Sequence, residues 1–429
     1  MKKTALAARH DASRPLSAAS DARFSAAAAN FNAAMAHNDF RAGARFAEEA
    51  LRIVPGHMMV LSDYALCLMR TGAHEEAYKI YASILKAPPA QQRQASSTWI
   101  HGLVELCGLM GKRDELRRHG LRALNEADAL HRASGIEIDP ATKPPAFDAS
   151  KPLENVIAFS LFGANPRYCE PAVMNVLVAR ELFEGWTCRV YLDASVPQHV
   201  HRRLREAGAQ LVEMDGSGPK PIHPLMWRFL VIGDPGVKRF LLRDADSLLS
   251  EREAAAVRAW IDSPFLFHHM RDYCSHTELI LAGLWGGCGG VLPNMEQAMR
   301  DYSEQRNKSS GRFVDQHFLR EQVWPAIRQS LLSHDELFGF HDALPFPPHA
   351  PVRWKTDAFH VGSNASHRAI GGASALPDGS PQHLLFCNSQ GDVLFDYSAI
   401  VRGNEWRLDM PFFILDAIQA GRVQVRNAL

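Results

Sequence analysis

The sequence predicts an all-α helical-repeat domain followed by an α/β domain built on an open, mostly parallel sheet. Three observations predict it. A helical pattern running from about Phe24 to His131 repeats itself, Asn38 recurring as Gly72 and Pro55 as Pro89. From Asn155 onward, short apolar runs alternate with helical stretches, the order of a parallel sheet covered on both faces. One of those runs ends in two acids separated by a single residue, Asp244-Ala245-Asp246.

The bulk numbers set the frame. A chain of 429 residues exceeds one ordinary core, so two or three domains are expected. With 47 Lys+Arg against 47 Asp+Glu, nothing in the balance attracts nucleic acid or an anionic membrane. The seven cysteines are scattered and contain no C-x-x-C pair, which argues against a zinc ribbon or a disulfide framework and points to a cytoplasmic location. The opening Met1-Lys2-Lys3 resembles a secretory start, but Arg9, His10 and Asp11 interrupt its apolar stretch. No segment offers the roughly 18 uninterrupted apolar residues of a membrane span.

In chain order, residues 1–20 lack periodicity and read as a flexible tail. Residues 21–135 form the helical domain. Its repeat aligns Asn38-Asp39-Phe40-Arg41-Ala42-Gly43 with Gly72-Ala73-His74-Glu75-Glu76-Ala77, and a third copy starts near Met110-Gly111-Lys112 after an insertion around Pro89–Gln94. The period, the small residue at the helix contact and the closing proline resemble tetratricopeptide repeats, which implies a concave face for a protein partner. Residues 136–154, with Pro140, Pro144, Pro145 and Pro152, read as the linker.

The α/β domain is expected over 155–365. Strands are predicted at 155–162, 188–192, 210–214 and 237–243, with helices at 173–183, 196–207 and around 226–232. Ligands of such sheets bind at the carboxyl ends of the strands. A phosphate-loop lysine motif and a G-x-G-x-x-G after the first strand are both missing. The remaining 366–429 form an extension, read as a hairpin (Leu384–Cys387 with Val393–Phe395) and a helix (Pro411–Ala420).

Lys238–Ser247 carries the chemistry. Hard divalent cations such as Mn2+ or Mg2+ prefer carboxylate oxygens and complete their shell with substrate phosphates. Asp244 and Asp246, where an apolar strand emerges, supply that geometry for a nucleotide diphosphate. A solvated turn is the bland account of the same pair.

Several stretches together resemble a known family: Phe159-Ser160-Leu161-Phe162-Gly163, Gly185-Trp186, Trp227-Arg228-Phe229-Leu230, Arg243-Asp244-Ala245-Asp246-Ser247, Met270-Arg271-Asp272 and Gly283-Leu284-Trp285-Gly286-Gly287. In this order over about 155–325, they resemble GT-A glycosyltransferases, the Rossmann-related D-x-D class. The match is nearest to a bacterial group whose domain follows tetratricopeptide repeats. The resemblance implies a metal-dependent transfer of a sugar from a nucleotide-diphosphate donor to a hydroxyl-bearing glycan or protein acceptor.

Residue by residue, it implies that Ser160, Leu161 and Phe162 border the nucleobase and ribose. Asp244 faces ribose and metal, Asp246 binds the metal, and Arg228 reaches the donor. Arg243 would hold the acidic pair, Arg271 and Asp272 would line the sugar pocket, and Trp285, Gly286 and Gly287 would serve the acceptor side. Asp315 and Gln316 open a helical pattern; Asp315 is the candidate base of an inverting enzyme, and a helix cap is the plainer reading. His360, in Phe359-His360-Val361-Gly362, is the candidate third metal ligand. Two other functions stand beside this one: nucleotidyl transfer, which also uses paired acids, and a non-catalytic repeat scaffold carrying a degenerate transferase domain.

Overall fold

The computed structural model describes residues 17–133, 138–215, 221–306, 313–354, 356 and 359–428. Most of the predicted tail lies outside these residues, as does the start of the linker. The chain divides into two compact units, one formed by residues 1–130 with 273–279 and 337–340, the other by the rest.

The first unit is a stack of antiparallel helices: α1 (Ala18–Ala36), α2 (Phe40–Ile53), α3 (Met58–Arg70), α4 (His74–Lys86), the single turn α5 (Pro89–Gln92), α6 (Trp99–Leu109) and α7 (Arg113–His131). Its periodicity is written in the backbone. Asn38, Gly72 and Gly111 each adopt positive φ where a helix ends. The next residue's N–H then bonds back to a carbonyl five positions earlier: Asp39 to Ala34, Ala73 to Leu68 and Lys112 to Cys107, each at 2.9 Å. These are the αL helix stops of a repeating unit. Position 38 to 72 is 34 residues and 72 to 111 is 39, so α5 and its flanks account for the extra five. The small residue at the helix contact also has its reason. A Cβ on Gly43 would sit 2.9 Å from Cys67 Sγ, and the equivalent Ala77 is fully buried. The third copy places Leu116 there, and the close contact is not repeated.

The second unit is built on seven strands: β1 (Asn155–Leu161), β2 (Thr187–Leu192), β3 (Gln210–Glu213), β4 (Arg239–Arg243), β5 (Phe267–Arg271), β6 (Trp285–Cys288) and β7 (Leu331–Asp335). Their order is β3-β2-β1-β4-β6-β5-β7, and β6 alone runs antiparallel to its neighbours. Every residue of β1 and β4 is buried, the apolar centre of each strand matching burial on both faces of the sheet. Helices α8 (Pro166–Leu182), α9 (Gln198–Glu206), α10 (Glu251–Ile261), α11 (Met295–Arg306), α12 (Val314–Phe318) and α13 (Trp324–Ile327) accompany the sheet. The predicted helix around 226–232 is a 3-10 helix, Pro224–Gly233.

The extension contains more than a hairpin and a helix. Strand β8 (His367–Ala373) pairs with β11 (Glu405–Pro411), and β9 (Pro381–Cys387) lies between β10 (Val393–Ile400) and β12 (Gln424–Asn427), with α14 at Phe412–Gln419. It packs on α8 and α9. There Glu170, buried on α8, accepts two hydrogen bonds from Arg203 at 2.6 and 2.8 Å and one from Tyr397 Oη at 2.7 Å. No helix among the described residues is long and apolar enough to cross a membrane.

Candidate functional site

The sheet reverses direction of growth beside β1. The chain goes from β1 outward to β2 and β3, then returns to β4 on the other side of β1. In sheets of this kind ligands bind at the carboxyl ends of the strands beside such a reversal, which here are the ends of β1 and β4. Ser160 lies at the end of β1 with Phe162 just beyond it, and Asp244 and Asp246 follow β4 directly.

Arg228, on the 3-10 helix, joins these elements. Its backbone N–H donates to Ser160 Oγ at 2.9 Å, which fixes it over the end of β1. Its guanidinium, only 3% exposed, donates to Asp244 Oδ1 at 2.6 Å, to the Arg243 carbonyl at 3.3 Å and to Asp315 Oδ2 at 3.1 Å. One planar cation thus spans two carboxylates from separate parts of the chain, a geometry suited to arginine and not to lysine. Asp315 lies in the first turn of α12 and takes the Gln316 N–H on its other oxygen at 2.9 Å. Burial first, then the charge of Asp244, pushes the Asp315 carboxyl up to about 6, against the pull of Arg228. The Gln316 amide, oriented to satisfy both neighbours, donates to the Ile280 carbonyl at 2.7 Å and accepts from the Ala282 N–H at 3.1 Å. It pins the loop that leads to Gly283.

The acidic pair is the open part of the site. Asp244 is 42% exposed on its side chain and Asp246 22%. Burial, followed by repulsion from Asp244, lifts the Asp246 carboxyl to about 6. Asp244 and Asp246 are the residues here whose chemistry suits a divalent cation. Arg167, in the first turn of α8, is the nearest opposite charge to Asp246, at 3.7 Å. Three carboxylates (Asp244, Asp246, Asp315) against two guanidiniums (Arg228, Arg167) leave the cluster at −1 when all are ionised. That is attractive to a divalent cation, and +1 once it arrives, attractive to a diphosphate.

The remaining predicted residues separate from this cluster. Arg243 does not reach the acidic pair: it turns under the sheet to Glu253 at 2.9 Å and to the Trp285 carbonyl at 3.1 Å, both partners buried. Trp285 shows no face to a ligand, being wholly buried edge-on to Phe240 at 5.5 Å between ring centroids. Gly286 and Gly287 are strand residues, where a Cβ would lie 2.5 Å from the Phe240 carbonyl oxygen or from Phe267 Cδ1. Their smallness serves strand packing. Leu161 is strand core, whereas Phe162 is exposed and sits edge-on to Trp227 at 6.0 Å. Arg271 lies buried 3.8 Å from Asp335. Asp272 meets Arg252 at 3.1 Å and accepts the Val361 N–H on both oxygens at 3.1 Å, while burial pushes its carboxyl to about 7. His360 Nδ1 donates to the Val361 carbonyl at 2.9 Å. The ligand atoms of Asp244, Asp246 and His360 do not all lie within 4.8 Å of one another.

Three positioning residues had no role of their own in the sequence reading, Gly283 entering it only within the glycine-rich stretch. Gly283 abuts the acidic pair, since a Cβ there would lie 2.1 Å from Asp244 Oδ2. Asn175, buried on α8, donates to the Ser247 carbonyl at 2.7 Å and accepts from the Leu249 N–H at 2.9 Å, holding the loop after Asp246. A polar side chain on an otherwise apolar helix face was the available signal. Arg167 had no motif to mark it.

No family model matches the chain, and no curated protein does. Among solved structures, an O-GlcNAc transferase variant from Thermobaculum terrenum aligns over 46% of this chain and 42% of its own, at 14% identity and a TM-score of 0.25. The alignment therefore spans less than half of that protein. At that TM-score the likeness carries no statement about fold or activity.

Proposed function

We propose that this protein is a cytoplasmic, metal-dependent glycosyltransferase of the GT-A type, taking its sugar from a nucleotide-diphosphate donor. One observation carries the reading: Arg228 gathers Asp244 and Asp315 at the switch point of the sheet, with Asp246 open beside them. The sheet's parallel half, its single antiparallel strand and the helical unit before it support the resemblance found in the sequence. The seven cysteines, buried thiols without a bridge, support a reducing compartment.

In the transfer, the bond between the sugar's anomeric carbon and the diphosphate oxygen breaks, and its electron pair leaves with the diphosphate. The acceptor oxygen bonds to that carbon and its proton departs to a base. Mn2+ or Mg2+, when bound, offsets the charge that grows on the leaving diphosphate. Asp244 and Asp246 are the residues that would hold it, since they stand one residue apart after β4 and, with Asp315, outnumber the guanidiniums around them. Phe162, exposed beside Trp227, offers a flat apolar surface where a nucleobase can stack. Arg228 holds Asp244 in place and presents positive charge to the donor. Asp315, with both oxygens already accepting hydrogen bonds, is assigned to orienting Arg228. The acceptor is a hydroxyl of a glycan or a protein, and the helical unit is the natural docking surface for a protein acceptor or partner.

The test is direct. UDP or GDP should raise the melting temperature in the presence of Mn2+ and leave it unchanged without metal. A screen of nucleotide sugars for metal-dependent donor hydrolysis then identifies base and sugar. A chain that responds to neither nucleotide with either metal, and hydrolyses no donor, is a scaffold and not an enzyme.

A further inference from the structure

Arg167 belongs to none of the motifs that suggested the function, yet it stands at the mouth of the site. It is placed there by α8, whose N-cap Asn165 accepts the Arg167 backbone N–H at 3.0 Å. One turn further along the same helix, Glu170 is held by Arg203 and Tyr397. The turn that carries Arg167 is therefore fixed at both its ends.

Its guanidinium is placed but not satisfied. The approach to Asp246 Oδ2 at 3.7 Å is an ion pair too long for a hydrogen bond. Nε is buried without an acceptor, and the side chain as a whole is 30% exposed, its guanidinium 5.4 Å from the Tyr168 ring centre. Arginine's fork of five donors is built to take two oxygens of one anion at once. Here the fork faces a single carboxylate oxygen across a gap, at the carboxylate expected to receive a cation.

We propose that Arg167 is a diphosphate-binding residue that neutralises Asp246 while the site is free of metal and turns to the donor's diphosphate once a cation takes its place. This rests on the metal-dependent donor site proposed above. The residue thus opposes the metal alone and favours the metal with its diphosphate. Arg167 offsets the repulsion between the two acids while the metal is away, and the cation binds best when the donor comes with it.

Opposite signs make the idea testable. Two affinities are measured on full-length protein: Mn2+ alone, by loss of the free-ion electron paramagnetic resonance signal, and inorganic pyrophosphate in saturating Mg2+, by calorimetry. Arg167→Gln should tighten Mn2+ by roughly threefold, the scale of a partly exposed ion pair. The same change should weaken pyrophosphate by about tenfold or more, the scale of a charge-assisted hydrogen bond. Arg167→Lys, which keeps the charge and loses the fork, should leave Mn2+ unchanged and weaken pyrophosphate by less. Weakening of both ligands by Arg167→Gln would make the residue merely structural, and no change in either would make it a bystander; each overturns the proposal. If the unaltered protein binds neither Mn2+ nor pyrophosphate, the donor site itself falls, a result distinguishable from failure of Arg167.

Discussion

Arg228 and Arg243 lie 15 residues apart, both nearly inaccessible to solvent, and they do opposite things. Arg243 has one buried acid, Glu253, and the pair closes on itself beneath the sheet. Glu253 also belongs to the start of α10, where Ser250 caps the helix and Glu253 sits three residues on, a capping box with its acid diverted to an arginine. Arg228 has two acids, one of them open to solvent, and leaves negative charge over at the strand ends. A buried pair matched one to one is architecture. An arginine shared between more carboxylates than it can neutralise is an invitation to a cation. The difference lies in stoichiometry and exposure, and neither is visible from the spacing of residues along the chain.

The contrast can be broken from its closed side first. Glu253→Ala should cost about 3–5 kcal/mol, the price of leaving a buried guanidinium without its counter-charge. Urea denaturation measures the loss, and the folded fraction should keep its response to Mn2+ with nucleotide. A variant of unaltered stability that has lost that response would place Arg243 in the site. On the open side, Asp246→Ala should weaken the metal-dependent binding of nucleoside diphosphate by about 100-fold or more, beyond what outer-shell changes cost, with the fold intact by circular dichroism. Full binding by this variant removes Asp246 from the site.

Gly283→Ala sharpens the comparison at a finer scale. The new methyl would press on Asp244 Oδ2 and, at 3.0 Å, on its backbone nitrogen. A displaced carboxylate should lower donor affinity by about tenfold while Mn2+-independent stability changes little, since small misplacements act on geometry and not on the core. Affinity equal to the parent's would show that the loop gives way instead.

The smallest effect concerns protons. The Asp246 carboxyl sits at about 6 in the folded protein, above its unfolded value near 4. A raised acid favours the fold while protonated, so its contribution is complete below about pH 4 and lost by the time pH has passed about 6. At pH 7.5 and without metal, Asp246→Asn should therefore raise the melting temperature by about 2–4 °C. The unaltered protein should lose cation affinity as pH falls through 6, because the proton and the cation compete for the same oxygen. A melting temperature lowered by the substitution would mean that the ionised carboxylate is well compensated, and the cation reading would lose its motive.

How much of this was legible in the sequence depended on whether a signal was periodic. The helical repeat declared itself because the same helix stop recurs at Asn38, Gly72 and Gly111. Strands β1 and β4 were readable because double-sided burial demands unbroken apolar runs. Strand β6 was not: its glycines suggested a ligand loop, yet they are what lets a strand lie against Phe240 and Phe267. The same misreading put Trp285 on a sugar. Strands β8 and β11 were missed because β8 is half glycine and alanine and largely exposed, which leaves no alternation to read. Within the site, Ser160, Arg228, Asp244 and Asp315 are brought together from four elements, which chain order could hint at. The gap between Arg167 and Asp246 could only come from three dimensions.

The contact of Tyr397 with Glu170 bears on how the protein can be cut down in the laboratory. Ending the chain just ahead of β8 looks like a tidy way to isolate the α/β domain. It would uncover the flank of α8 and α9, strip the Glu170–Arg203 pair of its phenol, and loosen the helix that carries both Arg167 and Asn175. Any shortened form should keep these last strands as part of the sheet-bearing unit.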